Sequence, residues 1–196
     1  MKKELVIAAY DRDYSWVNQL EDVKVTVYRK GDGELQPGEI LIEPNVGRDV
    51  HTFFKHIADN YDNLSDVTFF AQDYPFDHVN NLIPLLNSGK DIWNVIARQH
   101  VDGCWFFCTQ YGILTCDKNG APHHPGLEIE RIWDILFEGT ECPDELHFTP
   151  TGHFAITAEQ ARKIPLEYYH KILNLLETDP TSPWVIERLE PYILLR

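Results

Sequence analysis

Basic residues are scarce in this chain: 17 Lys and Arg stand against 31 Asp and Glu in 196 residues, a net charge of −14. An acidic surface repels nucleic-acid backbones and anionic membranes, so neither is expected as a main partner, and any phosphate must be met locally. Long apolar runs are missing too. None reaches membrane-spanning length, and the start, Met1 to Asp11, has too short an apolar core for a signal peptide. A soluble, cytoplasmic protein without a membrane span is expected. Cysteines are few, at 104, 108, 116 and 142, and form no CxxC pair. Cys104 and Cys108 lie in Trp/Phe-rich sequence, which predicts buried, reduced thiols. A zinc site joining Cys116 to His123 and His124 lacks ligand pairs of finger-like spacing. Repeats and low-complexity tracts are absent, and no shift of composition divides the chain. Its 43% hydrophobic content is therefore read as one domain, 1–196, with a full core.

The stretch Pro44 to His78 carries the most information. Val50, Phe53, Phe54, Ile57, Tyr61 and Leu64 recur at steps of three and four, one face of a helix, with His51, Thr52, Lys55 and His56 off that face. Glu39 to Ile42 reads as a strand before it and Val67 to Ala71 as a buried strand after it, which together make a β-α-β crossover. Ligands of parallel sheets bind outside the carboxyl ends of strands. The two turns at those ends, Asn45-Val46-Gly47-Arg48-Asp49 and Gln72 to His78, are therefore the candidate site.

The other segments support this unit. Glu4 to Ala9 is a first strand, followed by Tyr10 to Asp13 and a helix start at Ser15 to Leu20. Val23 to Tyr28 alternates as a strand, and Lys30 to Gly33 supplies a turn. Asp77 is expected to cap a helix through Val79, Leu82 and Leu86. Ile92 to Ala97 is expected to be a strand. Trp105 to Thr109 with Tyr111 to Cys116 is read as a hairpin or an irregular aromatic layer, and Asp117 to Gly120 as a turn. Leu127 to Phe137 has helical spacing, and His147 to Ile156 is strand-like with a Pro and a Gly inside. Thr157-Ala158-Glu159-Gln160 is a capping box opening a helix that carries Tyr168, Tyr169, Ile172 and Leu176. Ser182-Pro183 starts a last helix that Pro191 is expected to disrupt.

Asp73, Asp77 and His78 put hard donors within six residues, which suits Mg²⁺ or Mn²⁺ held mainly by a ligand's phosphates. Arg48, at the helix start, is placed to bond a diphosphate that the helix N-terminus already favours. Glu187-Arg188 on the last helix offers a base or an ion pair.

Asn45 to Asp49 with His51-Thr52, the run Gln72 to His78, Gly152 to Ile156 and Trp184 to Leu189 together resemble an uncharacterised family related to GT-A-fold glycosyltransferases, over nearly the whole chain. The resemblance implies an α/β, GT-A-like (Rossmann-like), mainly parallel sheet flanked by helices. It also implies a nucleotide-diphosphate sugar as donor and a carbohydrate acceptor. On that pattern Tyr10, Asp11 and Asp13 meet the nucleoside, and Asn45, Gly47, Arg48, Asp49, His51 and Gln72 hold the donor. His153 faces the acceptor, and Asp77 and Glu187 serve catalysis. Asp73 falls where the second Asp of an Asp-x-Asp metal motif stands, while Ala71 occupies the first position, a departure that also admits a non-catalytic carbohydrate-binding protein.

Overall fold

The computed structural model describes residues 1–31, 34–150 and 152–196. The turn residues Asp32 and Gly33, and Thr151 of the strand-like 147–156 segment, lie outside the described residues.

Strands β1 (Lys3–Ala9), β2 (Val23–Arg29), the two-residue β3 (Ile40–Leu41) and β4 (Val67–Gln72) form a parallel half-sheet in the order β3-β2-β1-β4. The order continues through β9 (Phe154–Thr157), β6 (Cys104–Phe106) and β5 (Gln99–Val101), each antiparallel to its neighbour. The sheet is thus mixed, and its parallel half is the part that crossovers dictate. A separate antiparallel pair joins β7 (Leu114–Asp117) to β8 (Glu145–Phe148).

Alternation divides β1 between two cores. Val6 and Ala8 face the cluster built on α1 (Arg48–Asp59), α4 (Ile129–Leu136), α6 (Leu166–Thr178) and α7 (Ser182–Leu194). Leu5, Ile7 and Ala9 face Trp16, α2 (Leu82–Asn87) and α3 (Lys90–Ile96). Helices on both faces of the sheet bury both sides of its central strands, which explains why β1 and β4 are apolar throughout.

The structure corrects several expectations. The expected strand Ile92 to Ala97 lies instead in α3 and its extended C-cap, Ala97: Trp93 points inward, ring centroids 4.7 Å from Phe69 and 5.3 Å from Trp105, while Val95 is 81% exposed. A short apolar run does not distinguish helix from strand. The aromatic layer is no hairpin, because β6 belongs to the main sheet and β7 to the second one. Asp77 caps no helix; it closes a 3-10 turn, Pro75–Asp77, and α2 starts at Leu82 after Asn81. The 3-10 form also replaces the helix at Ser15–Gln19. Thr157 does cap, accepting the Gln160 amide at 3.1 Å, but its helix, α5 (Ala158–Arg162), is short. Pro165 disfavours helix at the residue before it, so α6 begins afresh. Pro191 removes the i→i−4 bond that its N–H would make, yet α7 runs through it to Leu194. β3 pairs with β2, so β2 separates it from β1.

Candidate functional site

The carboxyl ends of β1, β2 and β4 meet the start of α1 and the start of α7 around a cleft of about 470 Å³. Asn45, Gly47, Arg48, Asp49, Gln72 and Tyr10 line it, so the turns after β1, β3 and β4 converge. Pro183 and Trp184 close the far side.

Its geometry begins with Gly47, at φ +66 as the residue before α1. A Cβ there would stand 2.6 Å from His51 Cβ and 3.1 Å from Leu176 Cβ, so only glycine permits this entry into the helix. Arg48 follows at φ +54, an unusual angle for a residue with a side chain, and its guanidinium lies 5.4 Å over the Trp184 ring. Asp49 accepts from Gln72 Nε2 at 2.6 Å, tying the two turns together.

Lys30 is the residue that sequence reasoning missed. Taken as part of a turn, it is 3% exposed at the end of β2 and lines the cleft. Its Nζ donates to the Val46 carbonyl at 2.6 Å and the Arg48 carbonyl at 2.5 Å, which pins the turn before α1. Burial brings its pKa down to about 8, against the pull of Asp49. The only signal in sequence was its place directly after a strand on the ligand side.

Asp73 is buried and serves as an anchor. Its Oδ2 accepts the backbone N–H groups of Tyr10, Asp11 and Arg12 at 2.9, 3.2 and 3.0 Å, and Oδ1 accepts that of Tyr74 at 2.9 Å. Trp16 Nε1 donates to its carbonyl at 2.8 Å. Asp77 is exposed and pairs with Arg12 at 3.0 Å. His78 lies beside His153, ring centroids 5.8 Å apart. Asp73, Asp77 and His78 therefore do not converge as ligands of Mg²⁺ or Mn²⁺, and no group of three or more His, Cys, Asp or Glu suited to a metal ion occurs among the described residues. The four cysteines are free and buried.

Other candidates fall away from the cleft wall. Asp13 accepts from Ser15 N at 2.9 Å and Ser15 Oγ at 2.8 Å, just ahead of the 3-10 turn Ser15–Gln19, and Asp11 stays exposed. His51 is buried and points to Glu177 of α6 at 3.2 Å, because α6 and α7 cover the side of α1 that faces away from the sheet. His153 is buried behind β4, with its Nε2 3.4 Å from the Gln72 amide, and burial followed by the nearness of His78 takes its pKa down to about 3. It is a neutral core histidine and lines neither the cleft nor its side pocket.

Glu187 borders a side pocket together with Arg48, Asp49, Gln72, Gly152 and Trp184. One helical turn further along α7, Glu190 is fully buried, and neither carboxyl oxygen has a hydrogen-bond partner among the described residues. Burial first, then the charges of Glu187 and Asp49, hold its pKa well above the usual carboxylate range. On sequence alone Glu187 is a candidate base or ion-pair partner, whereas nothing in the pattern singles out Glu190.

The chain belongs to the family described as "Protein of unknown function (DUF3431)", which it matches over residues 5–194. No curated protein and no solved structure matches it. Among the described residues no helix is long and apolar enough to cross a membrane.

Proposed function

We propose that the cleft binds a nucleotide-diphosphate sugar and that the protein transfers the sugar to a carbohydrate acceptor. The observation that carries this reading is the meeting of two cations, Lys30 and Arg48, with the start of the 12-residue helix α1 on one wall of the cleft. In a chain of net charge −14, that is a local provision for an anion. Hydrogen bonds to charged groups contribute about 1.5–3 kcal/mol each. The cleft volume lies within the usual range for small-molecule sites. Trp184 and the exposed Tyr10 offer flat surfaces for a base or a sugar ring. The parallel β3-β2-β1-β4 half, with its ligand end at the strands' carboxyl termini, supports a GT-A-like assignment within the mixed α/β fold. Free, buried thiols support a cytoplasmic setting.

In the transfer, the bond from the anomeric carbon to the diphosphate oxygen breaks and the diphosphate leaves with the electron pair. Arg48, Lys30 and the first amides of α1 stabilise its charge. The acceptor oxygen forms the new bond to that carbon, and its proton passes to a carboxylate. Glu187, on the side pocket, is better placed for this than the exposed Asp77. Asp73 is engaged by loop amides and Asp77 by Arg12, so their donors do not fit a metal bridge, and no step is routed through one.

The test is calorimetry against UDP-, GDP- and ADP-sugars, followed by assay for nucleoside diphosphate release with a carbohydrate acceptor. Binding that competes with the free diphosphate is expected; binding to none would sink the proposal. Ala71 in place of the first acidic residue favours a second reading, a non-catalytic carbohydrate-binding protein, whose signature would be sugar binding without release of nucleotide.

A further inference from the structure

Arg48 is the exposed cation of the cleft, and two elements fix where it stands. Its backbone has φ +54, in the left-handed region that a residue with a Cβ rarely adopts, and such angles persist where the surroundings hold them. Lys30 does so here, through its bonds to the Val46 and Arg48 carbonyls at 2.6 and 2.5 Å. The side chain is held from α7. Its guanidinium carbon lies over the Trp184 ring, 5.4 Å from the centroid. Trp184 stands in the first turn of α7, after Pro183, and its ring is braced by that of His124, centroids 5.3 Å apart at 72°. Arg48 and Trp184 both border the cleft and its side pocket.

A free arginine side chain samples many rotamers, and ordering it on a ligand offsets part of the binding. A cation over an indole face is attracted by the ring's quadrupole, and that attraction occupies none of the guanidinium's five N–H donors. Among the described residues those donors meet no hydrogen-bond acceptor and no carboxylate, the ring being the guanidinium's contact. Asp49, next in the chain, accepts from Gln72 Nε2 at 2.6 Å instead of pairing with Arg48. The guanidinium is thus placed in advance, and its N–H fork stays open to two oxygens of one anion. A lysine could not be held in this way, since its ammonium has no plane to lay against the ring.

We propose that Trp184 is a positioning residue for anion binding: it holds the Arg48 guanidinium at the cleft with its N–H fork free to bond two oxygens of a ligand's phosphate. This rests on the anion-binding part of the proposed function and names the residue through which Arg48 becomes effective.

Inorganic pyrophosphate is the probe, titrated by calorimetry into the full chain and its variants. It has no ring, so any contact of Trp184 with a base or a sugar drops out of the measurement. Trp184→Leu should bind it about fivefold more weakly than the wild type, while Trp184→Phe, which keeps an aromatic face, should stay within about twofold. In an Arg48→Ala background, where Lys30 and the α1 amides still hold the probe weakly, Trp184→Leu should cause no further loss, because a residue acting through Arg48 has nothing left to act on. A role in packing alone would weaken binding equally in both backgrounds, and that result overturns the proposal, as does wild-type affinity in folded Trp184→Leu. If Trp184→Leu does not fold, Trp184→Met, unbranched and without a π face, takes its place in the same cycle with the same outcomes. UDP titrated separately tests the reading beneath. A wild type that binds UDP but not pyrophosphate overturns this inference and leaves the nucleotide reading, and one that binds neither removes both. Pyrophosphate binding that falls in Arg48→Ala but not in Trp184→Leu keeps the anion site and removes Trp184 from it.

Discussion

Two glutamates are buried against the same helix-covered face of the sheet, and they are treated in opposite ways. Glu4, at the start of β1, is 2% exposed and accepts from Thr26 Oγ1 at 2.7 Å and Ser65 Oγ at 2.7 Å, with Lys24 Nζ at 2.8 Å. Burial alone would raise its pKa, but the bonds to Lys24, Thr26 and Ser65 outweigh that and take it below the usual value. Beside it, Tyr28 and His56 share a 3.0 Å hydrogen bond. Glu190, next to the cleft, has no hydrogen-bond partner among the described residues, and burial raises its pKa well above the usual value. At the far end of the sheet most polar groups pair with one another, although His56 Nε2 and Thr68 Oγ1 make no hydrogen bond among the described residues. Beside the cleft the contrast is one of charge: no cation stands against the Glu190 carboxyl as Lys24 stands against Glu4.

If that division is right, the largest effect on stability comes from the satisfied end. Glu4→Ala should cost about 3–5 kcal/mol in urea unfolding, since it strands Thr26 and Ser65 and leaves buried His56 without the carboxylate 3.8 Å away. A cost no larger than that of a surface substitution would mean that the network is incidental and the contrast with Glu190 empty.

The distinction also marks what the sequence could tell. Periodicity located β1, β2, β4 and α1, because it depends on residues close in the chain, and the strand-end rule pointed to the turns at 10–13, 44–49 and 72–78, of which Tyr10, Asn45, Gly47 to Asp49, Gln72 and Asp73 line the cleft. Lys30, Glu4 and Glu190 could not be ranked that way. Each is a charged residue in an ordinary strand or helix pattern, and its environment is made by residues distant in the chain: the Val46 and Arg48 carbonyls, Ser65 and Lys24, or Gly152 and Asp49. His51 failed for the same reason: the polar side of α1 predicted from spacing is covered by α6. Trp93 anchors α3 through contacts with Phe69 and Trp105 that no local pattern contains.

Next in size is a dependence on pH that sharpens the comparison. Burial lowers the His56 pKa from 6.5 to about 4 and that of His153 to about 3. Below pH 6.5 the unfolded chain binds protons that the folded chain refuses, so stability falls as pH drops toward 4, on the order of 1.4 kcal/mol per pH unit for each histidine. Glu190 works in the other direction. Its raised pKa means the unfolded chain loses a proton above 4.5 that the folded chain keeps, so its contribution falls as pH rises. Urea midpoints between pH 7 and 4.5 should therefore decline on acidification, less steeply in His56→Gln, and Glu190→Gln should gain stability over the wild type increasingly as pH rises above 4.5. Parallel curves for all three proteins would contradict the assignment of both ends.

At the cleft, groups should affect binding more than stability. Arg48 is exposed, and among the described residues its guanidinium contacts only the Trp184 ring. Arg48→Ala should weaken nucleoside diphosphate binding by about 1.5–3 kcal/mol in calorimetry while leaving the melting temperature nearly unchanged. Unchanged affinity in a folded variant would move the diphosphate away from this turn.

The smallest effect is expected at Asp77, which is neither buried nor on the cleft wall. Its pair with Arg12 spans 3.0 Å between side chains that are 59% and 56% exposed, where solvent screens the attraction and ordering two side chains offsets most of what remains. Asp77→Asn should therefore change stability by less than about 0.5 kcal/mol and leave nucleoside diphosphate affinity as it is, with or without Mn²⁺. Asp73→Asn is the informative control, because its three loop amides need a charged acceptor and its loss should loosen residues 10–12 whether or not a cation is present. A Mn²⁺-dependent gain in affinity that both substitutions abolish would show that the ligand's phosphates draw these carboxylates out of their present bonds. It would also make the cleft a metal site completed by its ligand, against the division drawn here between groups that hold the fold and groups that await a partner.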